Sequence, residues 1–304
     1  MPENLYIDVA IIGRGPAGLQ AAIHAAGKKV QVIVFGKLRN SSLYKALIAN
    51  FCCYEKPILG KKMLEAGRKQ AEEFDAVFLE EDIIETKNEN NLFSFVTESG
   101  ETFTSKALIL SMGVSRKKLR VKGEKELTGR GVSYCVDCDA NFYKGMDVAV
   151  VGNESAAATG AMTLLSYANN VCLVCQKLVI TDKLYDRLKE SQVKVMEDTW
   201  VKEVIGTNEV EGVLLTNGET LKVNGIFIEL GAKGAMELAA SLGALFDPKT
   251  VSFIETNKKQ ETNIPGLYAA GDITGPPWQI AKAVGEGCVA GIEAAEYAKR
   301  LADS

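Results

Sequence analysis

The chain has 304 residues, more than one domain usually needs, and the Ala-, Val-, Ile- and Gly-rich composition of a soluble α/β protein. A net charge of −4 gives no reason to expect nucleic acid or an anionic membrane as partner. No apolar run reaches the roughly 18 residues of a membrane span, and MPENLYIDVAIIG has no basic region, apolar core and cleavage site in succession, so a cytoplasmic protein is expected.

Asp8–Ile12 is a short apolar run and predicts a buried strand. Gly13-Arg14-Gly15-Pro16-Ala17-Gly18 follows, then a small-residue helix over Leu19–Ala26 and a strand over Val30–Phe35. Strand, Gly-rich turn, helix and strand in this order form the βαβ unit for dinucleotides. Gly13 allows the tight turn, Gly15 lets backbone approach a pyrophosphate, and Gly18 lets the helix sit close to the strand. The helix N-terminus then offers N–H groups and partial positive charge to phosphate. A Gly-rich turn with no ligand is the plainer reading.

After an irregular stretch, a helix is predicted over Lys61–Phe74. Strands are predicted over Ala76–Leu79, Phe93–Thr97, Thr102–Thr104 and Ala107–Leu110, a meander feeding back into the first sheet. Val114–Gly131 is polar and basic and reads as a linker. A second strand-turn-helix opens at Asp147 and echoes the first, a duplicated nucleotide-binding plan ending in a strand over Gly225–Leu230. The last segment carries a short strand, Gly271-Asp272, a Pro-rich loop and an Ala-rich helix. The expected fold is α/β, with two Rossmann-like nucleotide-binding domains of the FAD/NAD(P)-binding three-layer ββα type. The second (114–233) is inserted into the first (1–113 and 234–304).

Seven cysteines, an odd number, argue against a disulfide scaffold. Cys135-x-x-Cys138 followed by Asp139 is either metal-binding, a structural crosslink or redox-active. A zinc site needs a second pair. Cys172 and Cys175 lie on a predicted strand, where residues three apart face opposite sides and chelate one ion poorly. The single histidine, His24, sits in a predicted helix, which argues against a Ser-His-Asp triad.

IIGRGPAGLQAAI, Asn50 followed by Phe51, GRGVSYCVDCDANFY and IPGLYAAGDI together resemble the low-molecular-weight thioredoxin reductases over nearly the full length. The resemblance implies FAD in the first domain and a redox disulfide in the second. It implies that Gly13, Gly15, Pro16, Ala17 and Gly18 hold the FAD pyrophosphate, with Gly113 and Gly271 also at the cofactor. Asn50 would contact the flavin, Asp272 a ribityl hydroxyl, and the Gln279 and Ile280 N–H groups the pyrimidine edge, where reduced flavin is negative. Asp272 as a solvated turn residue is the plainer alternative. Cys138 would exchange electrons with the flavin, Cys135 would attack the substrate disulfide, and Asp139 would move thiol protons. Asp137 adds charge that opposes a thiolate.

The resemblance weakens at the nicotinamide site. NADPH-using members carry a GGGDSA-type turn and an HRR-type cluster. Here the turn is Gly152-Asn153-Glu154-Ser155-Ala156, one residue shorter, and the later segment is Cys175-Gln176-Lys177. The arginines able to fork onto a 2′-phosphate are missing. The chain is most similar to the ferredoxin-dependent flavin thioredoxin reductases, which implies ferredoxin as donor, thioredoxin as client and a homodimer. An NADH- or NADPH-linked reductase with an atypical site and a non-catalytic flavin sensor are the alternatives. Arg116, Lys117, Lys118, Arg120 and Lys122 could steer an acidic ferredoxin or be a solvated linker. Trp278, where NADPH users carry Arg, could stack near the flavin or be a core or interface residue. Cys52-Cys53 replaces a Pro-Gly in the flavin loop, and buried inert thiols are the plainer reading; Cys288 reads as packing. Val114–Gly123 and Leu230–Gly234 are the candidate hinges.

Overall fold

The computed structural model describes residues 5–52, 54–113, 118–231, 234–248 and 253–302. The chain divides into two compact units. The first is Met1–Thr97, Glu101–Val114 and Gly234–Ser304; the second is Glu98–Gly100 and Ser115–Lys233.

The first unit opens with β1 (Leu5–Ile12), α1 (Pro16–Gly27) and β2 (Val32–Phe35). A short antiparallel pair, β3 (Leu47–Ile48) and β4 (Ile58–Leu59), precedes α2 (Gly60–Glu72). Then come β5 (Val77–Leu79), β6 (Ile83–Glu89), β7 (Leu92–Thr97) and β8 (Thr102–Leu110). The sheet runs β5-β2-β1-β8-β7-β6. Its β1, β2 and β5 side is parallel and its β6–β7–β8 side is an antiparallel meander.

Two differences from the sequence reading have physical causes. Thr102–Thr104 and Ala107–Leu110 are one strand. Its first half alternates buried and half-buried residues, whereas Ala107–Leu110 is buried on both faces. That change of period in mid-strand imitates a break. The strand Ile83–Glu89 was not foreseen, because its ETKNE half is polar and mostly exposed and presents no apolar pattern.

The second unit contains β9 (Val132–Ser133), α3 (Val136–Asp139), β10 (Asp147–Val151), α4 (Ser155–Leu164), β11 (Asn170–Val174), α5 (Asp182–Glu190) and β12 (Lys194–Met196). An antiparallel trio follows, β13 (Val201–Ile205), β14 (Gly212–Leu215) and β15 (Thr220–Leu221), then β16 (Gly225–Ile228). A parallel sheet orders β12-β11-β10-β16-β9.

The expected linker is not a free tether over its described part. The buried Glu124 carboxylate accepts N–H groups of Leu119, Arg120 and Val121 and the Tyr134 hydroxyl, and Leu127 lies in the core. A carboxylate with that many donors fastens the segment to its own unit. Val114–Lys117, with Arg116 and Lys117 of the basic run, lies outside the described residues, as do 232–233 of the second hinge candidate.

The chain returns to the first unit with α6 (Ala235–Ser241), β17 (Leu267–Ala269) and α7 (Ile280–Ala302). β17 pairs in parallel with the C-terminal end of β8. One face of the sheet is packed with small residues: Ala17, Ala21 and Ala25 of α1 and Ala290, Ala294 and Ala298 of α7. A Cβ at Gly287 would overlap the Ala17 carbonyl, and one at Gly291 the Ala21 carbonyl, so glycine is what lets the two helix backbones touch. The other face is aromatic, with the Phe35 ring edge-on to Phe95 and Phe103, each at 5.1 Å.

Candidate functional site

The first turn is an open anion cradle. Gly13 has φ 120°, and a Cβ there would stand 2.6 Å from the Ser111 carbonyl oxygen; one on Gly18 would overlap the Gly13 carbonyl. Gly15 differs, since a Cβ there would meet only Ser41 Oγ, at 3.8 Å. Gly15 is also the N-cap of α1, with no side-chain cap, and Pro16 opens the helix. Among the described residues no backbone carbonyl accepts the Ala17 and Gly18 amides. The cradle therefore keeps unspent N–H donors at a positive helix end.

The Gly271–Asp272 turn closes onto this cradle. Gly271 has φ 91°, and a Cβ there would lie 3.0 Å from Ala17 Cβ. Two residues the sequence reading missed fasten it. Glu286 Oε2 accepts the Gly271 N–H (2.8 Å) and pairs with Lys282 Nζ (2.9 Å), which donates to the Gly271 carbonyl (2.8 Å). Both lie on α7, four residues apart, the spacing that would have flagged them. Asp272 is half-buried; burial raises its pKa, Lys282 lowers it, Glu286 raises it, and the balance is upward.

Asn50 and Gln279 meet: Asn50 Nδ2 donates to Gln279 Oε1 at 3.1 Å. Ile280 starts α7, and the Gln279 carbonyl accepts the Ala283 amide. Trp278 is 60% exposed, which corrects its reading as a core residue. Gly113 lies exposed beyond β8 with nothing within 4 Å of a would-be Cβ. Cys52 is an exposed free thiol, against the buried reading, and Cys53 lies outside the described residues.

Arg14, also missed, is buried inside the glycine motif. Its guanidinium donates to the Gly36 carbonyl (3.1 Å) and to Glu80 (2.9 Å) and lies over the Phe78 ring. It ties the first turn to the ends of β2 and β5. A cavity of about 730 Å³ opens beside Glu80, between α2 and the segment after β2, with Lys37, Arg39, Tyr44 and Arg68 in its wall.

In the second unit, Cys135 and Cys138 are joined by a disulfide, S–S 2.03 Å. Cys135 caps α3 and its sulfur accepts the Cys138 N–H at 3.2 Å. Asp139 Oδ2 accepts the Ser133 hydroxyl at 2.6 Å, and Ser133 Oγ accepts the Cys135 N–H at 3.1 Å, so Asp139 braces the Cys135 backbone through Ser133. Buried Glu229 accepts the Val136 N–H at 3.1 Å and fixes the start of α3 from the end of β16. The two sulfurs are not equivalent: Cys135 is buried and Cys138 exposed. The sulfur that the resemblance gives to the substrate is thus the inaccessible one in this geometry.

The second Gly turn is built the opposite way from the first. A Cβ on Gly152 would overlap the Glu229 carbonyl. Asn153 Oδ1 accepts the Gln176 N–H (2.9 Å) and its carbonyl accepts the Val179 N–H (2.7 Å), so the loop after β11 is pinned onto the turn. Glu154 caps α4, placing a carboxylate-bearing residue where a pyrophosphate would lie. The Ala156 N–H is taken by the Gly231 carbonyl and the Ala157 N–H by the Glu154 carbonyl. Lys177 is exposed.

Residues 7–287 match the pyridine nucleotide-disulphide oxidoreductase family. The chain belongs to that family. Within it the relatives are thioredoxin reductases: that of Listeria monocytogenes is 32% identical over 99% of this chain and 97% of its own length. Among solved structures, the atypical thioredoxin reductase TRi of Desulfovibrio vulgaris Hildenborough is 35% identical with a TM-score of 0.81, covering 97% of this chain and 98% of that one. A ferredoxin-flavin thioredoxin reductase of Clostridium acetobutylicum is 32% identical with a TM-score of 0.69, covering 99% of this chain and 100% of that one.

As a member of the pyridine nucleotide-disulphide oxidoreductase family, on its low-molecular-weight thioredoxin reductase branch, the chain is a disulfide oxidoreductase, and the family implies a flavin. The first turn fits one: its amides are unspent, and the space over Gly15 is what a Cβ would fill. The remaining cysteines do not share this chemistry. Cys175 lies just beyond β11, not on it, and burial, with Glu197 and Asp198 nearby, pushes its thiol up to about 12. Burial also raises Cys172, against the pull of Lys194. At pH 9 the Cys175 thiolate is then roughly one part in a thousand. In the native protein, peptide mapping after iodoacetamide should show Cys52 labelled and Cys175 unlabelled; equal labelling would contradict the burial.

Proposed function

We propose that this chain is a ferredoxin-dependent thioredoxin reductase holding FAD in its first unit and a redox disulfide in its second. The observation that carries the reading is the contrast between the two helix N-termini. That of α1 keeps open amides over a glycine-lined space; that of α4 has its Ala156 and Ala157 amides taken by the Gly231 and Glu154 carbonyls and a glutamate at the cap. A dinucleotide pyrophosphate has donors to meet at the first and not at the second. Likeness to a ferredoxin-flavin thioredoxin reductase supports the choice of donor.

FAD supplies the link between single-electron donation and two-electron disulfide chemistry. Gly13, Gly15, Pro16, Ala17 and Gly18 would hold its pyrophosphate, with Gly113, Gly271 and Asp272 along its length. Asn50, Gln279 and Ile280 would hold the ring, and Trp278 would cover the face a nicotinamide would otherwise use. Two electrons and two protons open the Cys135–Cys138 bond to two thiols. Asp139, next in sequence to Cys138 and bonded to the Ser133 hydroxyl, would exchange protons with the thiol pair. The Cys135 thiolate attacks the thioredoxin disulfide, releasing one client thiol and forming a mixed disulfide. The Cys138 thiolate then attacks Cys135 sulfur, releasing the second client thiol and restoring the internal bond. Because Cys135 is buried, this cycle requires it to become exposed. A homodimer is the expected assembly.

Anaerobic mixing tests the reading. Reduced ferredoxin should bleach the flavin and generate thiols in added thioredoxin, whereas NADH and NADPH at millimolar concentration should leave the spectrum unchanged. Rapid bleaching by either nicotinamide would replace it with a pyridine-nucleotide-linked reductase.

A further inference from the structure

One face of the first unit carries charge out of keeping with the rest of the chain. Lys37 to Lys69 contains eight basic and two acidic residues, a surplus of six positive charges in a chain of net charge −4. Arg39, Lys45, Lys56, Lys62 and Lys69 are exposed and make no ion pair among the described residues. The same stretch exposes apolar surface: Leu47 is 66% exposed and Leu59 52%, and they stand opposite each other on β3 and β4. Tyr54, between those strands, is exposed too. A two-stranded ladder that holds paired leucines in water gains nothing for the fold by it. The register brings Lys45 to the end where α2 begins with Lys61-Lys62, and Lys56 to the end that carries Asn50. An apolar centre ringed by uncompensated charge is the anatomy of a protein-docking patch.

We propose that this face, β3–β4 with the outer side of α2, is the docking site of a small acidic one-electron donor protein. The inference rests on the ferredoxin reading above and adds where that donor binds. Two arguments select this occupant. Positive charge without internal partners attracts an acidic protein from a distance and speeds encounter. The excursion that bears the patch also carries Asn50, hydrogen-bonded to Gln279 at the edge assigned to the cofactor ring. Docking there therefore brings the donor to the entry point of the electrons. The linker run is the weaker alternative, since Lys122 is paired with Glu203 at 2.7 Å. Each docking event oxidises one reduced donor by one electron. Two events and two protons convert the Cys135–Cys138 disulfide to two thiols.

The test compares the flavin-loaded wild type with the variant K45E/K56E/K62E, none of whose positions lines the cavity beside Glu80. An acidic ferredoxin, photoreduced under argon, is mixed with each at low and high salt. The variant should bleach about 10- to 100-fold more slowly at low salt and lose most of the salt dependence. Its flavin content, oligomeric state and thioredoxin reduction driven by reduced methyl viologen should match wild type. Wild-type bleaching rate and salt slope in the variant would overturn the proposal. So would dissociation of the oligomer in the variant, which would assign the face to a second copy. If the triple variant folds poorly, K62E alone and the wild-type salt titration decide, and a salt-independent wild-type rate overturns it. A wild type that accepts electrons from methyl viologen but not from ferredoxin removes the donor reading itself, and the docking site with it.

Discussion

Cys138→Ser should lower thioredoxin reduction by at least about a thousandfold while leaving the protein folded and yellow. The Cys135–Cys138 bond is the disulfide found among the described residues, and neither Cys172 nor Cys175 is placed to substitute for it, being buried or half-buried with raised pKa values. The two sulfurs should fail differently. With Cys138 replaced, Cys135 still attacks the client but nothing resolves the adduct, so a mixed disulfide should accumulate on non-reducing gels. Cys135→Ser should be equally inactive without trapping the client. The Cys138 N–H already reaches the Cys135 sulfur at 3.2 Å, a donor in place for negative charge on that sulfur once the bond opens. If Cys135→Ser traps the client instead, the exposed Cys138 is the attacking sulfur and the assignment of roles reverses.

The glycine turn should separate fold from cofactor. Gly18→Ala places a methyl group in the Gly13 carbonyl, backbone against backbone, with no flexible side chain to yield. Overpacking of this kind costs about 1–3 kcal/mol, which for a protein of this size lowers Tm by roughly 2–5 °C. The same displacement moves α1 away from the turn, so flavin should also be lost. Gly15→Ala meets no protein atom closer than Ser41 Oγ at 3.8 Å, and its apo Tm should stay within about 2 °C of wild type. Its methyl group stands in the space assigned to the pyrophosphate, so visible flavin absorbance after purification should fall. Calorimetry of the apo proteins and flavin titration read the two effects apart. Full flavin occupancy in Gly15→Ala would remove that turn from the cofactor site.

The parts that were legible in the sequence are those where backbone chemistry restricts the residue type. Gly13, Gly18 and Gly271 each sit where a Cβ would strike a neighbour, and the Cys-x-x-Cys spacing survives in any context. The parts that were not legible depend on side chains distant in sequence. Glu229 meets the Val136 amide 93 positions earlier, and Arg14 meets Glu80. The available signal for Glu229 was a carboxylate ending the apolar run GIFIEL, a residue that needs a partner if buried. The turn at Gly152 was readable as degenerate from its letters. That its amides are taken by Gly231 and Glu154 carbonyls required coordinates, because backbone pairing leaves no mark on residue type.

The glycine-backed seam between α1 and α7 has a consequence for how the chain matures on the ribosome. Ala17 and Ala21 wait for Gly287 and Gly291, and β8 waits for β17, so the first unit lacks its closing strand and helix until residues 267–302 have been made. The inner unit, complete by Lys233, has every strand of its sheets to hand much earlier. Cofactor capture then follows the emergence of α7, whose backbone closes against α1 directly behind the first glycine turn.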